Sequence, residues 1–431
     1  MQVLIQQAKI TDKRSAFYNQ VVDILIEDGI IKSLLPSSSQ GGGASTVLVD
    51  GKEAITFPLG EGRDGALCVS TGWVDVLADY REPGYEHKET IESGLRAAAA
   101  GGYTHVLTAP NTNPAISTKS IVQSVIQKAA GNVVSLHPLG AITQDVEGKS
   151  LAEMLDMHTH GAVAFTDGWK PVQNAQLMLK ALEYVKAFNG TLIQIPVDHA
   201  LAAGGLMHEG EASVRLGMAG IPSLAETILL HRDIELLRYT GSRLHITGIS
   251  TAEGVDMIRK AKKEGLNITC SVTPYHLVLN DKALEGYSSL YKVMPPIRSE
   301  ADRKALLKGL KDGTIDCIAS HHRPQEWDAK AKEFEYAADG MNIQEIAYNL
   351  VLQAAGYERI AEIMTAARAI FGLGDANIEA GAVADLTIYT TTGSYKLGNM
   401  QSASANNPFT GKEMQGKVLG IINNKQVHLN Q

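Results

Sequence analysis

Cysteine is scarce in this 431-residue chain, which has only Cys68, Cys270 and Cys317. All three lie in apolar, strand-like contexts with no C-x-x-C spacing. That argues against a disulfide framework and a cysteine zinc site, and fits a reducing cytoplasm. Positive charge is also short, and a net charge of −8 argues against nucleic acid, because binding phosphate needs a basic surface. No stretch approaches the ~18 apolar residues of a membrane span. The N-terminus, MQVLIQQAKITDKR, has no basic region followed by a long apolar stretch and does not read as a signal peptide. The expectation is a soluble, cytoplasmic protein with neither a membrane nor a nucleic-acid partner. What is present is ordinary for a globular chain, with 44% apolar and 20% charged residues. This length can bury a large core, in one large domain with a smaller one or in two domains.

The first sixty residues read as β. VLIQQAKI, VVDILIEDGIIKSLL and STVLVDGKEAITFP are short β-rich runs broken by Asp-Gly, Gly-Gly-Gly and Ser-rich turns. Eight strand-like runs follow, each ending near polar residues: ALCVSTGWVDVLA, YTHVLTA, NVVSLHPLG, AVAFTD, TLIQIPV, RLHITGI, NITCSVT and TIDCIAS. Between them lie helical segments such as SIVQSVIQKAAG, AEGVDMIRKAKKEG and EADRKALLKGLKDG, with apolar residues three and four apart and a Gly at the stop. That count predicts an α/β chain with a (β/α)8 barrel over residues 67–382. AVADLTIYT and KVLGIINNKQVHL return to β at the end, so residues 1–66 and 383–431 are expected to form one composite β-sandwich beside the barrel.

Longer blocks are more specific. GWVDVLADYREPGYEHKETIESGLRAAAAGGYTHVLTAPNTNP resembles the first barrel unit of dihydroorotases, down to the REPG turn and the PNTNP loop. GAVAFTDGW, HEGEASVRLGMAGIPSLAE, MPPIRSEADRKALLKGLKDGTIDCIAS and NNPFTGKEMQGKVLG are similar to the same family. The resemblance covers nearly the whole chain and is strongest to the bacterial branch associated with aspartate transcarbamoylase. It implies the amidohydrolase barrel and, in active members, a bound zinc that activates water while an aspartate shuttles protons.

Catalytic zinc needs about three protein ligands and an open position, and barrel enzymes gather them at the carboxyl ends of several strands. The resemblance places an H-x-H at the end of strand one, where this chain has Leu77 and Asp79. Strand five should present a histidine where Ile195 stands, and strand six one where Gly248 stands. Strand eight should end in the shuttle aspartate, and His321 is there instead. Three of the five places hold residues without a donor atom, so no metal, no cofactor and no intact catalytic residue is expected. Of the residues that hold the substrate in the family, Arg81 and Asn111 persist, while Met294 and Gln325 replace an asparagine and a histidine. Arg81 either still takes a small anion or pairs with Asp79 or another carboxylate. Asp167 matches the aspartate of strand four.

Some histidines are decoys. His158-Thr159-His160 is an H-x-H at the amino end of its strand, and His199, His245 and His276 match no ligand place and read as hydrogen-bonded structural groups. His321 and His322 are adjacent on one strand and face opposite ways. Two readings stand. One is a non-catalytic homologue, expected as a homodimer and as a structural or regulatory partner of aspartate transcarbamoylase in pyrimidine biosynthesis. The other is a cyclic amide hydrolase with a metal site rebuilt from Asp79, Asp167 and His321.

Overall fold

The computed structural model describes residues 1–37, 44–58 and 67–430. The Ser- and Gly-rich turn near residue 40 and the expected boundary at residue 66 fall outside these residues.

The chain opens with β1 (Gln2–Ile10), β2 (Val21–Glu27), β3 (Ile30–Pro36), β4 (Ala44–Val49), β5 (Lys52–Pro58) and β6 (Cys68–Thr71). The central strands are β7 (Trp73–Ala78), β8 (Tyr103–Thr108), β9 (Ser135–Pro138) and β10 (Leu192–Gln194). After them come β11 (Met207–His208), β12 (Gly220–Ile221), β13 (Leu244–Thr247), β14 (Ile268–Val272) and β15 (Cys317–Ile318). Last come β16 (Leu386–Lys396), β17 (Glu413–Asn423) and β18 (Gln426–Leu429).

Both ends of the chain meet in one nine-stranded sheet. It branches at β1, which pairs antiparallel with β2 and β4 and then, through Lys9 and Ile10, parallel with β6. The period of two along β1 puts Val3 and Ile5, then Ala8 and Ile10, into a core shared with Ile24, Leu386 and Ile422. One expectation needs correction here. ALCVSTGWVDVLA is not one strand but two in different sheets, β6 in the terminal sheet and β7 in the central one, so the terminal sheet extends past residue 66. Gly72 makes the break. A Cβ there would lie 1.9 Å from both Asp385 Oδ1 and Thr104 Oγ1, while its N–H donates to the Asp385 carbonyl at 2.9 Å.

The central strands are parallel. One sheet runs β7-β8-β9 and another β10-β13-β14-β15. Phe165, in the expected strand AVAFTD, contributes only single parallel bridges, to Gly140 and to Leu192, and His322 bridges to Ala78. Followed in order, these contacts pass through eight segments and return to β7. Helices connect them, among them Ile91–Ala100, Lys119–Ala129, Ala175–Lys186, Leu224–Thr240, Ala252–Lys263 and Glu300–Asp312. Their starts follow from caps: the Thr90, Thr251 and Ser299 side chains accept from the backbone N–H three residues on. The helix Ala252–Lys263 buries Val255, Ile258 and Ala261, a stripe at three-residue spacing that faces the strands. No helix among the described residues is long and apolar enough to cross a membrane.

Candidate functional site

The carboxyl ends of the parallel strands carry the places at which the family likeness puts metal ligands, and apolar packing fills much of that space. Leu77, at the end of β7, and Ile195, just past β10, are 0% and 2% exposed and belong to one cluster with Leu107, Leu139, Ala164 and Ile193. Burying each such side chain stabilises by about 1.5–3 kcal/mol, so these positions now hold the interior together. Met294 and Trp169 pack against the same cluster.

Gly248 follows β13 with φ +72°, a backbone region that disfavours side chains, and a Cβ on it would lie 2.5 Å from His321 Cε1. The His321 ring therefore occupies the space of the missing strand-six ligand. Its Nε2 lies 2.9 Å from Thr247 Oγ1, and Trp169 meets it edge-on at 5.1 Å. Burial pushes the imidazole down to about 3, so it is neutral near pH 7.

Asp79 and Arg81 form a buried ion pair, Nη1 to Oδ2, at 3.0 Å. The same carboxylate accepts from Trp169 Nε1 at 3.0 Å and from the Arg81 N–H at 3.2 Å. Arg81 Nε donates to the Pro324 carbonyl at 3.2 Å. Of the two sequence readings for Arg81, pairing with Asp79 is the one seen. Asn111 holds a loop: its Nδ2 donates to the Asp167 carbonyl at 3.0 Å and its Oδ1 accepts from the Trp169 N–H at 3.2 Å. Gln325 is buried and bridges Lys88 Nζ, at 2.9 Å, to the Asp339 carbonyl, at 2.7 Å.

Asp167 faces away from any ligand role. Oδ1 accepts from the Ile142 and Thr143 N–H groups, both at 2.9 Å, and Oδ2 accepts from the Thr143 hydroxyl. Burial raises its carboxyl to about 6, against the pull of those donors. Asp79, Asp167 and His321 are thus each engaged separately, and the rebuilt three-ligand site is not assembled. Among the described residues no three His, Cys, Asp or Glu side chains gather so as to hold a metal ion. The residues at the strand ends do not fit zinc.

The decoy histidines are local. His158 Nδ1 lies 3.1 Å from the Ala162 carbonyl and His160 Nδ1 lies 2.7 Å from that of Asp156. His245 bonds Thr269 and Ser271, and His276 bonds Thr273 and the Pro296 carbonyl. His199 departs from expectation, being exposed on the short helix His199–Ala202. His322 faces away from His321, its Nε2 3.5 Å from the buried Glu89 carboxylate. Two mouth residues escaped the sequence reading. Trp169 lies inside the GAVAFTDGW block, and Arg323 places its guanidinium 4.6 Å from the Trp169 ring centroid. β15 ends at Ile318 and His321 has φ +49°, so strand periodicity gave no signal for Arg323.

Solved structures share this overall architecture. An L-hydantoinase from Arthrobacter aurescens matches with a TM-score of 0.79 at 21% identity, covering 98% of this chain and 95% of that one. A D-hydantoinase matches with the same TM-score at 19% identity. At such identities the likeness defines the fold alone, a mixed α/β chain built like these hydantoinases. The sequence goes further. Residues 66–254 match the family model described as dihydro-orotase-like. A dihydroorotase of Syntrophus aciditrophicus is 36% identical over 428 residues, 97% of each chain. One of Anaeromyxobacter dehalogenans is 38% identical over 94% of this chain and 98% of its own length. The chain belongs to the dihydroorotase family.

Proposed function

We propose that this protein is a non-hydrolytic member of the dihydroorotase family with a (β/α)8 barrel. In this reading it is a homodimer that acts as a structural or regulatory partner of aspartate transcarbamoylase. One observation supports the loss of hydrolysis above the others: the expected ligand places are engaged in packing. Leu77 and Ile195 are interior apolar residues, and the His321 ring fills the space beside Gly248. With no ligand set for zinc, nothing lowers the pKa of water toward ~7, and His321 stands where the family's proton-shuttling aspartate would be. The partner role rests on the family resemblance and on a fold retained without its metal ligands.

A second reading, hydrolysis of dihydroorotate or a related cyclic amide, is favoured by the full-length likeness to relatives named dihydroorotases. An assay of dihydroorotate formation and hydrolysis, with and without added zinc, separates the two. Rates equal to the protein-free control are expected, and a turnover of ~1 s⁻¹ or more would overturn the non-hydrolytic reading.

A further inference from the structure

Away from the mouth, a cavity of about 720 Å³ opens between the terminal sheet and the short helices Ile360–Thr365 and Ala367–Ile370. Cavities of about 300–1,000 Å³ take small organic ligands. No strand-end residue described above lines it, and its lining residues Cys68 and Thr71 lie before β7 begins. Register builds the sheet wall. Lys9 on β1 and Tyr389 on β16 both pair with Cys68 on β6, so the three side chains form one row on a single face. The Tyr389 hydroxyl donates to Thr11 Oγ1 at 2.9 Å and fixes the ring in that row.

Two guanidiniums meet at one corner of the cavity. Arg14 Nη2 donates to Thr71 Oγ1 at 3.2 Å, and Arg368 Nη2 donates to the carbonyl of the next residue, Gly72, at 3.2 Å. Arg14 directs Nε and Nη2 to Asp12, at 3.1 and 2.8 Å, and Nη1 makes none of these bonds. Arg368 is 5% exposed and pairs with Asp385 at 2.6 Å, yet its Nε is buried with no partner. A buried donor left unmatched is costly, so an acceptor that reached it would be held. Four basic and four acidic side chains line the cavity, which leaves no net positive field for a polyanion. Two of the acids, Glu358 and Asp375, are exposed, as are Tyr18 and Tyr357, at 38% and 56%. The closed end is therefore cationic, and the rim is acidic and aromatic.

We infer that this cavity is a ligand site for a small organic acid with one carboxylate and a planar ring. The carboxylate sits at the corner of Arg14 and Arg368, and the ring packs along the row of Cys68 and Tyr389 against the tyrosines of the rim. Guanidinium groups suit a carboxylate fork, and aromatic side chains favour a flat partner. Charge balance selects the class, because a phosphate ester would bring a second negative charge towards Glu358 and Asp375. The site does not depend on whether the mouth hydrolyses anything.

The test is calorimetric titration of the full chain with sodium benzoate at constant ionic strength. One saturable equivalent with a Kd of about 1 mM or tighter is expected. Benzamide keeps the ring without the charge and acetate the charge without the ring, and each should bind at least about tenfold more weakly. Arg14→Gln should weaken benzoate by about tenfold, because one of the two guanidiniums is gone. Arg368 stays intact, since its removal would leave the buried Asp385 short of a cation. A second readout needs no variant: a wild-type crystal soaked with 4-iodobenzoate should show an iodine anomalous peak in this cavity. Phenyl phosphate binding more tightly than benzoate overturns the carboxylate assignment. No saturable binding in solution overturns the site whatever the crystal shows, the cavity then being a water-filled cleft. An iodine peak only elsewhere overturns it as well.

Discussion

Replacing Asp167 by Asn should change the pH dependence of stability with a sign that reports what this carboxylate does. Burial raises its carboxyl from 3.8 to about 6, a shift of about two units, worth about 3 kcal/mol in full. A carboxyl raised in the folded state contributes stability that is present below about pH 3.8 and is lost as pH rises through about 6. Asparagine does not titrate. Its Oδ1 can still accept from the Ile142 and Thr143 N–H groups, and its Nδ2 can donate to the Thr143 hydroxyl, which already accepts from the Gly148 N–H at 3.0 Å. Between about pH 4.5 and pH 7.5 the stability difference should therefore move in favour of Asp167→Asn by about 2 kcal/mol, the part of the shift titrated in that window. Urea unfolding of both proteins at both pH values measures it, and other titrating groups cancel in the comparison. A difference that does not change with pH would refute the burial argument. A change of opposite sign would mean that a cation, a metal included, holds the carboxylate ionised.

Three further outcomes are expected, two from the same geometry and one from the proposed partner role. Gly248→Ala should destabilise by about 1–2 kcal/mol for the left-handed backbone alone, plus the cost of displacing His321, as read by thermal unfolding. Leu77→His, alone or with Ile195→His, should lose about 2–5 kcal/mol through the lost core packing and gain no dihydroorotate hydrolysis in a zinc-supplemented assay. Co-expression with aspartate transcarbamoylase from the same source should give a complex that survives size exclusion, as an interface above ~1,000 Å² allows. Separate elution, with transcarbamoylase assembly unchanged when this chain is deleted, would remove the partner role.

Much of the fold was legible because local rules sufficed. Capped amphipathic helices such as Ala252–Lys263 and alternating strands such as β1 follow directly from the order of side chains. The split at Gly72 was not legible, because it depends on contacts with Thr104 and Asp385, distant in sequence. AVAFTD looked like its neighbours yet makes only single bridges, and pairing partners are a property of the assembled sheet. At the mouth, the loss of donor atoms at Leu77, Ile195 and Gly248 could be read from residue type alone. How the space was refilled could not. The His321 ring beside Gly248, Trp169 on Asp79 and Arg323 over Trp169 are contacts between segments far apart in sequence.

The central claim is that the strand-end residues of this family member do not hold a metal. Elemental analysis of the purified, full-length protein after growth with zinc and brief dialysis against a mild chelator tests it most directly. Well under one equivalent of zinc or any other divalent metal per chain is the expected result. One or two equivalents that resist the chelator, with anomalous scattering from the metal placed at the ends of β7, β10 and β13, would contradict it.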